Sequence, residues 1–441
     1  MLKFKHMLKS LKDRSTMLKG TLKKVSHKKV KSDQYLVGLD IGTEYVKALI
    51  GKVSKTNPGN IDIVGVGRAH QGLKDMQAGA IADIAAVVAN CDKALAEAED
   101  MAGVSARTAV LGIAGELVKG TTKTIKVTRS NPKEAIDVPE MEKIINLVQQ
   151  RTETKAKQEL AYELGGKNVD VRLVNSALVS IEIDGYPVSN PIGFQGRDVV
   201  VSIYTAFAPL IHIGALEKTA LELDLDLLAV AAEPFAVARA VIGNNANNNL
   251  SAVLMDIGGG TTDIAVVNEG GVQGTKMFGI GGRAFTKSIE KELGVDFDEA
   301  EELKVSLTGN EIDPKKRPSV EKPLEKTADI WVSGIELALD EFDQLDHLPN
   351  RLYLCGGGSS LEMLIDKLEQ TNWYKALPFT KKPIVKHIRP DQVVGVEDHT
   401  NKVNDHTFIT AMGLLRVGLD TTQSNAVNSS FRDKIDRMLS I

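Results

Sequence analysis

The tripeptide Asp-Ile-Gly stands at Asp40–Gly42 and again at Asp256–Gly258, more than 200 residues later, and each time it ends one apolar run and precedes another. A glycine between two apolar runs of strand length reads as a hairpin turn. The context repeats as well. Tyr35–Leu39 and Tyr45–Val53 are predicted strands around the first turn, Ile61–Gly67 is a third, and Ile81–Met101, rich in Ala with apolar residues at helical spacing, is a helix. Strands Ala252–Asp256, Asp263–Asn268 and Gly271–Met277 and the helix Gly282–Leu293 follow in the same order. A strand–turn–strand–strand–helix unit written twice reads as an internal duplication of one mononucleotide-binding half. The length agrees: 441 residues exceed one compact core and suit two or more lobes.

Between the halves the pattern breaks. Thr108–Ala114 and Thr121–Val127 read as strands, Val138–Gln158 as a helix, and Val169–Ile183 as strands interrupted near Asn175, with the turn-rich Asn190-Pro-Ile-Gly-Phe-Gln-Gly196 closing a small inserted domain over 106–197. Strand Asp198–Ala206 and helix Leu210–Leu223 return to the main body. Residues 284–350 are more helical: Gly309–Pro323 is expected as an exposed loop and Asp329–Phe342 as a helix. Arg351–Cys355 is a strand ending in glycines, Leu361–Gln370 a helix, and Asp420–Ser430 a polar linker.

Three glycine-rich turns carry the candidate chemistry. In Asp256-Ile-Gly-Gly-Gly-Thr-Thr-Asp263, three successive glycines let backbone N–H groups approach phosphate oxygens, the hydroxyls of Thr261 and Thr262 add donors, and the flanking carboxylates suit Mg²⁺ held through water. In Asp40-Ile-Gly-Thr-Glu-Tyr-Val-Lys47, Lys47 on the returning strand can reach a β-phosphate as a point charge. Either turn alone is also an ordinary hairpin; the pairing makes the signal specific. Cys355-Gly-Gly-Gly-Ser-Ser360 opens a helix, where a nucleotide can come close to the helix N-terminus, and the site there spans Gly356–Ser359.

Two Asp-Ile-Gly loops and a late triple glycine resemble the actin, sugar-kinase and heat-shock chaperone superfamily. Within it, Gly38-Leu-Asp-Ile-Gly-Thr43, Ile63–Gly67, Asn190–Gly196, Ile280-Gly-Gly282 and Ala300-Glu-Glu-Leu-Lys304 are similar to the FtsA family of bacterial cell-division proteins, over about residues 35–418. The resemblance implies an α/β, actin-like, two-lobed ATPase fold with duplicated ribonuclease-H-like halves and a small inserted α+β domain. Its implied parts are a basic arm (1–34), a lobe I core, IA (35–105, 198–236 and 395–418), an inserted SHS2-like domain, 1C (106–197), a lobe II core, IIA (237–283 and 351–394), a helical subdomain, IIB (284–350), and a linker with a terminal amphipathic helix (419–441). It implies ATP and Mg²⁺ as cofactors. Asp40 and Asp256 would orient Mg²⁺-bound waters. Gly42, Thr43, Lys47, Gly258, Gly259, Gly260, Thr261 and Thr262 would hold the phosphates, with Gly281 and Gly282 beside them. Glu301 and Lys304 would flank the ribose or base, and Gly357, Gly358 and Ser359 would lie under the adenosine. Asp263 and Glu233 would serve the attacking water. The acid at 233 resembles chaperone and MreB-type relatives rather than most FtsA-like sequences, and it has a second reading as a helix-start Glu beside Pro234, favoured by the helix dipole. Slow Mg²⁺-dependent hydrolysis, with ATP as a polymerisation switch, is the expected activity.

Charge divides the chain. Residues 1–32 hold eleven Lys/Arg and one acid, Asp13, a balance of +10, so the rest carries −14 of the net −4. Phe4, Leu8, Leu11, Leu18, Leu22 and Val25 give the arm an apolar face. Arm and C-terminus read together as two membrane signals: Phe431, Ile435, Met438 and Leu439 share one face of a terminal helix like the membrane-targeting helix of the FtsA family. Other readings are a helix docked on the body and, for the arm, a structureless basic tail, a nucleic-acid-binding arm or an early start codon. No apolar run of about eighteen residues spans a membrane. With aromatics at 5%, no nucleic acid is expected as a partner. Two distant cysteines fit a reducing compartment. By resemblance the partners are the FtsZ C-terminal tail, other copies of the chain in a filament, and an anionic membrane surface. The setting would be the cytoplasmic face of the cell membrane at the division site. A PilM-like pilus scaffold and a small-molecule kinase are the alternatives.

Overall fold

Tyr35–Ile41 (β1), Tyr45–Val53 (β2) and Ile61–His70 (β3) form an antiparallel meander, as the apolar runs around the Gly42 turn predict. The structure is a computed structural model and describes residues 28–29, 34–57, 59–114, 118–163, 169–243, 249–308 and 311–424. The helix Ile84–Ala102 (α1) starts three residues later than expected because Asp83 caps it, accepting from the Ala86 amide at 3.1 Å, and it stops at Gly103 with φ of 67°. Strand Thr108–Ile113 (β4) lies parallel to β1. This corrects the sequence reading, which put Thr108–Ala114 in the inserted domain.

The insert itself contains Lys119–Thr128 (β5), the long helix Val138–Glu163 (α2), Val171–Ile183 (β6) and Asp198–Pro209 (β7), which pair in the order β6-β7-β5. The break expected near Asn175 is a bulge within a single strand; the Asn175 Oδ1 accepts from the Ala232 amide at 2.7 Å. Asp198–Ala206, read from sequence as part of the main body, belongs to this sheet as β7. Ile125, Met141, Ile145, Val148, Ile181, Val199 and Ile203 make the insert's own small core.

Leu210–Glu222 (α3), Asp226–Ala232 (β8) and Glu233–Ile242 (α4) follow, and then the unit repeats: Ala252–Ile257 (β9), Thr262–Asn268 (β10), Gly271–Phe278 (β11) and Gly282–Leu293 (α5). Phe297–Thr308 (α6), Arg317–Asp340 (α7), Arg351–Cys355 (β12), Glu362–Gln370 (α8), Ile384–His387 (β13), Val396–Asp398 (β14) and Ile409–Ser424 (α9) complete the order. One sheet runs β8-β4-β1-β2-β3-β14; the other contains β13-β12-β9-β10-β11 and continues through β5 into the insert. Both five-strand sets pair parallel, parallel, antiparallel, antiparallel. The duplication read from Asp-Ile-Gly is therefore a duplication of topology. The insert joins the second sheet through two residue pairs, Thr121 with Gly274 and Gly120 with Thr275.

Strand β9 is buried throughout because its two faces enter different cores: Ala252 and Leu254 pack with the first lobe, Val253, Met255 and Ile257 with the second. Helix α7 corrects the expected loop at Gly309–Pro323. It starts at Arg317, carries Pro323 inside it, and buries Val320, Leu324, Ala328, Trp331 and Ile335. Pro318 sits in the first turn, where proline starts helices rather than breaking them. The expected linker also begins later, since α9 runs to Ser424 and Asp420 pairs there with Arg416 at 2.5 Å and with Arg239. The arm up to His27 and the terminal segment with Phe431, Ile435, Met438 and Leu439 lie outside the described residues; Lys28–Lys29 pair parallel with Val104–Ser105. No helix among the described residues is long and apolar enough to cross a membrane.

Helix α1 lies directly on β3. A Cβ on Gly67 would sit 1.8 Å from the Ala94 carbonyl oxygen, and one on Gly65 2.2 Å from that of Ala98. Backbone meets backbone there, so no rotamer change relieves the clash. Gly67→Ala is expected to destabilise the protein by about 3 kcal/mol or more, the upper range for overpacking. A urea-unfolding midpoint within error of wild type would contradict this packing.

Candidate functional site

The turns of the two hairpins face each other. Asp40 at the end of β1 is in register with Lys47 on β2, and Asp256 at the end of β9 with Asp263 on β10. A Cβ on Gly259 would lie 2.9 Å from the Cβ of Glu44, and one on Gly260 2.7 Å from the Thr43 hydroxyl, so glycine is what lets the turns meet. The start of α5 is pinned to the same turn: Gly282 N–H donates to the Gly258 carbonyl at 2.9 Å and Arg283 N–H to that of Gly259 at 2.8 Å. Gly356, with φ of 82°, packs where a Cβ would come within 2.0 Å of Asp256 Oδ1.

These elements enclose a cavity of about 420 Å³. Asp40, Gly42, Thr43, Lys47, Glu233, Asp256, Gly258, Gly259, Thr261, Asp263, Gly282, Glu301, Lys304, Gly357 and Gly358 all line it. The remaining candidates lie behind the wall. Thr262 donates to the Ile280 carbonyl at 2.7 Å and accepts from Trp331 Nε1 at 2.9 Å, so its hydroxyl is spent in the second lobe's core. Ser359 turns back onto the Gly356 carbonyl at 2.7 Å, while Ser360 lines the cavity. Gly281 packs against the Gly258–Thr261 turn, and Gly260 against Thr43.

The site is dominated by buried acid. Asp40, Glu233, Asp256 and Asp263 converge with one ammonium, Lys47, whose Nζ is 3.0 Å from Asp40 Oδ2. Burial, then repulsion from Asp40, Asp263 and Asp256, raises Glu233 well above the usual carboxylate range. Burial and Asp256 push Asp263 up to about 8. Asp256 is raised by burial, against the pull of Thr410 and Lys47; the Thr410 hydroxyl donates to its Oδ2. Lys47 is held above its usual value: burial works against the charge, but Asp40 and Asp256 outweigh it. Asp263 Oδ1 is buried without a hydrogen-bond partner, although Thr261 donates to Oδ2 at 2.9 Å. On the other wall, Lys304 Nζ donates to Glu301 at 2.7 Å, to Thr286 at 2.8 Å and to the Gly282 carbonyl at 3.2 Å.

Several lining groups escaped the sequence reading. Arg68 stacks over the Tyr45 ring, 3.5 Å from its centre, and Arg283 on α5 pairs with Glu44 at 2.6 Å. Arg283 had a signal: a cation in the first turn of a helix opposes the dipole, so it needs another reason to be there. Thr410 had none, since 154 residues separate it from Asp256.

The sequence profile described as Cell division protein FtsA matches residues 253–413, a span that holds the Asp256–Asp263 turn, Glu301, Lys304 and the Gly356–Ser360 turn. The Cell division protein FtsA of Pseudomonas aeruginosa is 28% identical over 429 residues, which cover 91% of this chain and 93% of that protein. That of Neisseria meningitidis is 30% identical over 289 residues, 62% of this chain and 61% of that protein. Across most of its length the chain is similar to the FtsA family. In fold the chain is actin-like, and it is similar to a solved chain of a PilM-PilN type IV pilus biogenesis complex, with a TM-score of 0.61 and 18% identity over 87% of this chain and 98% of that one.

Proposed function

We propose that this chain binds ATP with Mg²⁺ between its lobes and acts in cell division as a membrane-associated scaffold that assembles into filaments and anchors the C-terminal tail of FtsZ. The observation that carries the nucleotide reading is the cavity itself, in which two glycine hairpins and the Gly356–Ser360 turn meet around Asp40, Glu233, Asp256, Asp263 and Lys47. The donor set fits a hydrated Mg²⁺: Asp40 and Asp256 stand at matching strand ends, and the orphaned Asp263 Oδ1 needs a donor that a metal-bound water provides. Mg²⁺ would supply charge neutralisation at the phosphate oxygens. Lys47 adds a fixed positive charge beside Asp40, and Gly42, Gly258 and Gly259 bring backbone within reach of phosphate. Glu301 and Lys304, locked to Thr286 and Gly282, form a rigid wall for the ribose or base, opposite Gly357 and Gly358. Glu233 and Asp263 take the water-orienting role. Phosphoryl transfer asks for little more than such positioning, so a slow ATPase serving as an assembly switch fits the site.

The cell-division role rests on the family's relatives. Membrane attachment rests on the sequence of 1–32 and 431–441, and the FtsZ contact on the family resemblance. The pilus-scaffold alternative shares the fold, but the sequence relatives favour division, and no sugar- or acetate-kinase signature accompanies the cleft. The test is electron microscopy of the full chain on an anionic lipid monolayer with and without Mg-ATP. Filaments that need Mg-ATP support the scaffold; isolated molecules in every condition overturn it.

A further inference from the structure

Arg283 is a residue of the second lobe whose side chain lives in the first. Its backbone belongs to α5, pinned to the triple-glycine turn. Its three side-chain hydrogen bonds all cross the cleft: Nε donates to Glu44 Oε2 at 2.6 Å, Nη1 to the Leu73 carbonyl at 3.3 Å and Nη2 to the Gly72 carbonyl at 3.4 Å. The guanidinium is nearly buried and borders the cavity.

The socket that receives it is built independently of Arg283. Glu44 Oε1 is 2.7 Å from His70 Nε2. The Gln71 amide donates to the Glu44 carbonyl at 2.9 Å, and the Gly72 amide to Asp75 at 2.6 Å. Buried Asn90 on α1 then ties Gln71 and Asp75 together, donating to both at 2.8 and 2.9 Å. A rigid set of one carboxylate and two carbonyls suits a planar guanidinium, which spreads its donors in a fixed fork; an ammonium fills it less well. Glu44 is also part of the Asp40–Lys47 turn, so the contact ties that turn to the helix start pinned on the other turn.

We infer that Arg283 and the Glu44–Gly72–Leu73 socket form a latch that holds the lobes closed and sets how fast a bound nucleoside diphosphate leaves. Arg283 is thus a positioning residue. Opening the cleft withdraws it from all three acceptors at once, and that loss slows exit. The inference rests on the nucleotide reading above for its ligand, but the latch itself is a property of the chain alone.

The test uses the full chain with Mg²⁺ and a fluorescent ADP analogue. Its release is followed by stopped flow in wild type, Arg283→Ala, Arg283→Lys and Glu44→Gln. In parallel, the inter-lobe distance is measured without nucleotide by spin labels on Ala96→Cys and Lys326→Cys, both exposed positions on opposite lobes. Release at least tenfold faster in Arg283→Ala and Glu44→Gln, with Arg283→Lys between them and wild type, is expected. So is a longer or broader distance distribution in the two fast variants. Release within twofold of wild type, or an unchanged distance distribution, overturns the latch. If wild type does not bind the analogue, the nucleotide reading fails on its own, and the spin-label distances still decide the latch.

Discussion

Replacing Glu233 by Gln is expected to slow ATP turnover roughly 100- to 10,000-fold, the usual weight of a group that handles a proton in the transition state, while ATP affinity changes less than about threefold. Glu233 is the first residue of α4, 8% exposed, and its carboxylate lies where a Cβ on Gly112 would be 3.0 Å away, so a bare glycine strand makes room for it. Burial and the three aspartates raise its proton affinity, which favours a group that takes a proton from water. The sign follows: turnover in wild type rises with pH as Glu233 ionises, and the residual rate of Glu233→Gln loses that rise. Phosphate release measured across pH 5 to 9 checks both outcomes. The competing view makes Glu233 only a helix start before Pro234. Gln would then cost about 0.3–1 kcal/mol of dipole stabilisation and leave turnover alone. A variant as fast as wild type would remove Glu233 from the chemistry.

What could be read from the sequence follows a physical line. The hairpins were legible because an Asp-Ile-Gly turn between strand-length apolar runs has a local cause, and the strand limits came within a few residues. Long-range pairing was less legible. Thr108–Ile113 has the same apolar pattern whether it joins the insert or the first sheet; only its parallel pairing with Val37–Leu39 decides, and no local signal encodes that. Helix α7 was missed at its start because the Gly, Asn, Pro and Lys content of Gly309–Pro323 reads as loop, although Val320, Leu324, Ala328 and Trp331 already keep helical spacing. At the site, the placement of the backbone was more legible than the direction of the side chains. Gly258 and Gly259 line the cavity as their freedom of approach implies, whereas Thr262 and Ser359 occupy the same motifs with hydroxyls turned the other way, since strand alternation and a tight turn choose the direction. The Arg283–Glu44 contact joins residues 239 apart, beyond any periodicity.

Asp263→Asn is expected to make the ligand-free protein more stable while abolishing its stabilisation by Mg-ATP. A proton on Asp263 is held to about pH 8 in the folded chain, against an ordinary carboxylate value near 4 once unfolded. Between those limits the native state carries a proton that the unfolded state has released, so stability is greatest below about pH 4 and falls as pH rises towards 8. Each unit of difference is worth about 1.4 kcal/mol, and relaxation of the cluster absorbs part of the total. A gain of about 2 kcal/mol for Asp263→Asn at pH 8, shrinking towards zero near pH 4, is the expected result. Asn keeps the shape and an acceptor for Thr261, but it takes one negative charge from a site that also holds Asp40, Glu233 and Asp256. On the proposed Mg²⁺ reading, a bound cation would offset the repulsion that burial and Asp256 impose on Asp263. Urea unfolding at pH 5, 7 and 8, with and without Mg-ATP, reads both halves. Equal stability of variant and wild type at pH 8 would mean that Asp263 shares no buried charge with its neighbours; a variant still stabilised by Mg-ATP as strongly as wild type would remove it from the metal side of the site.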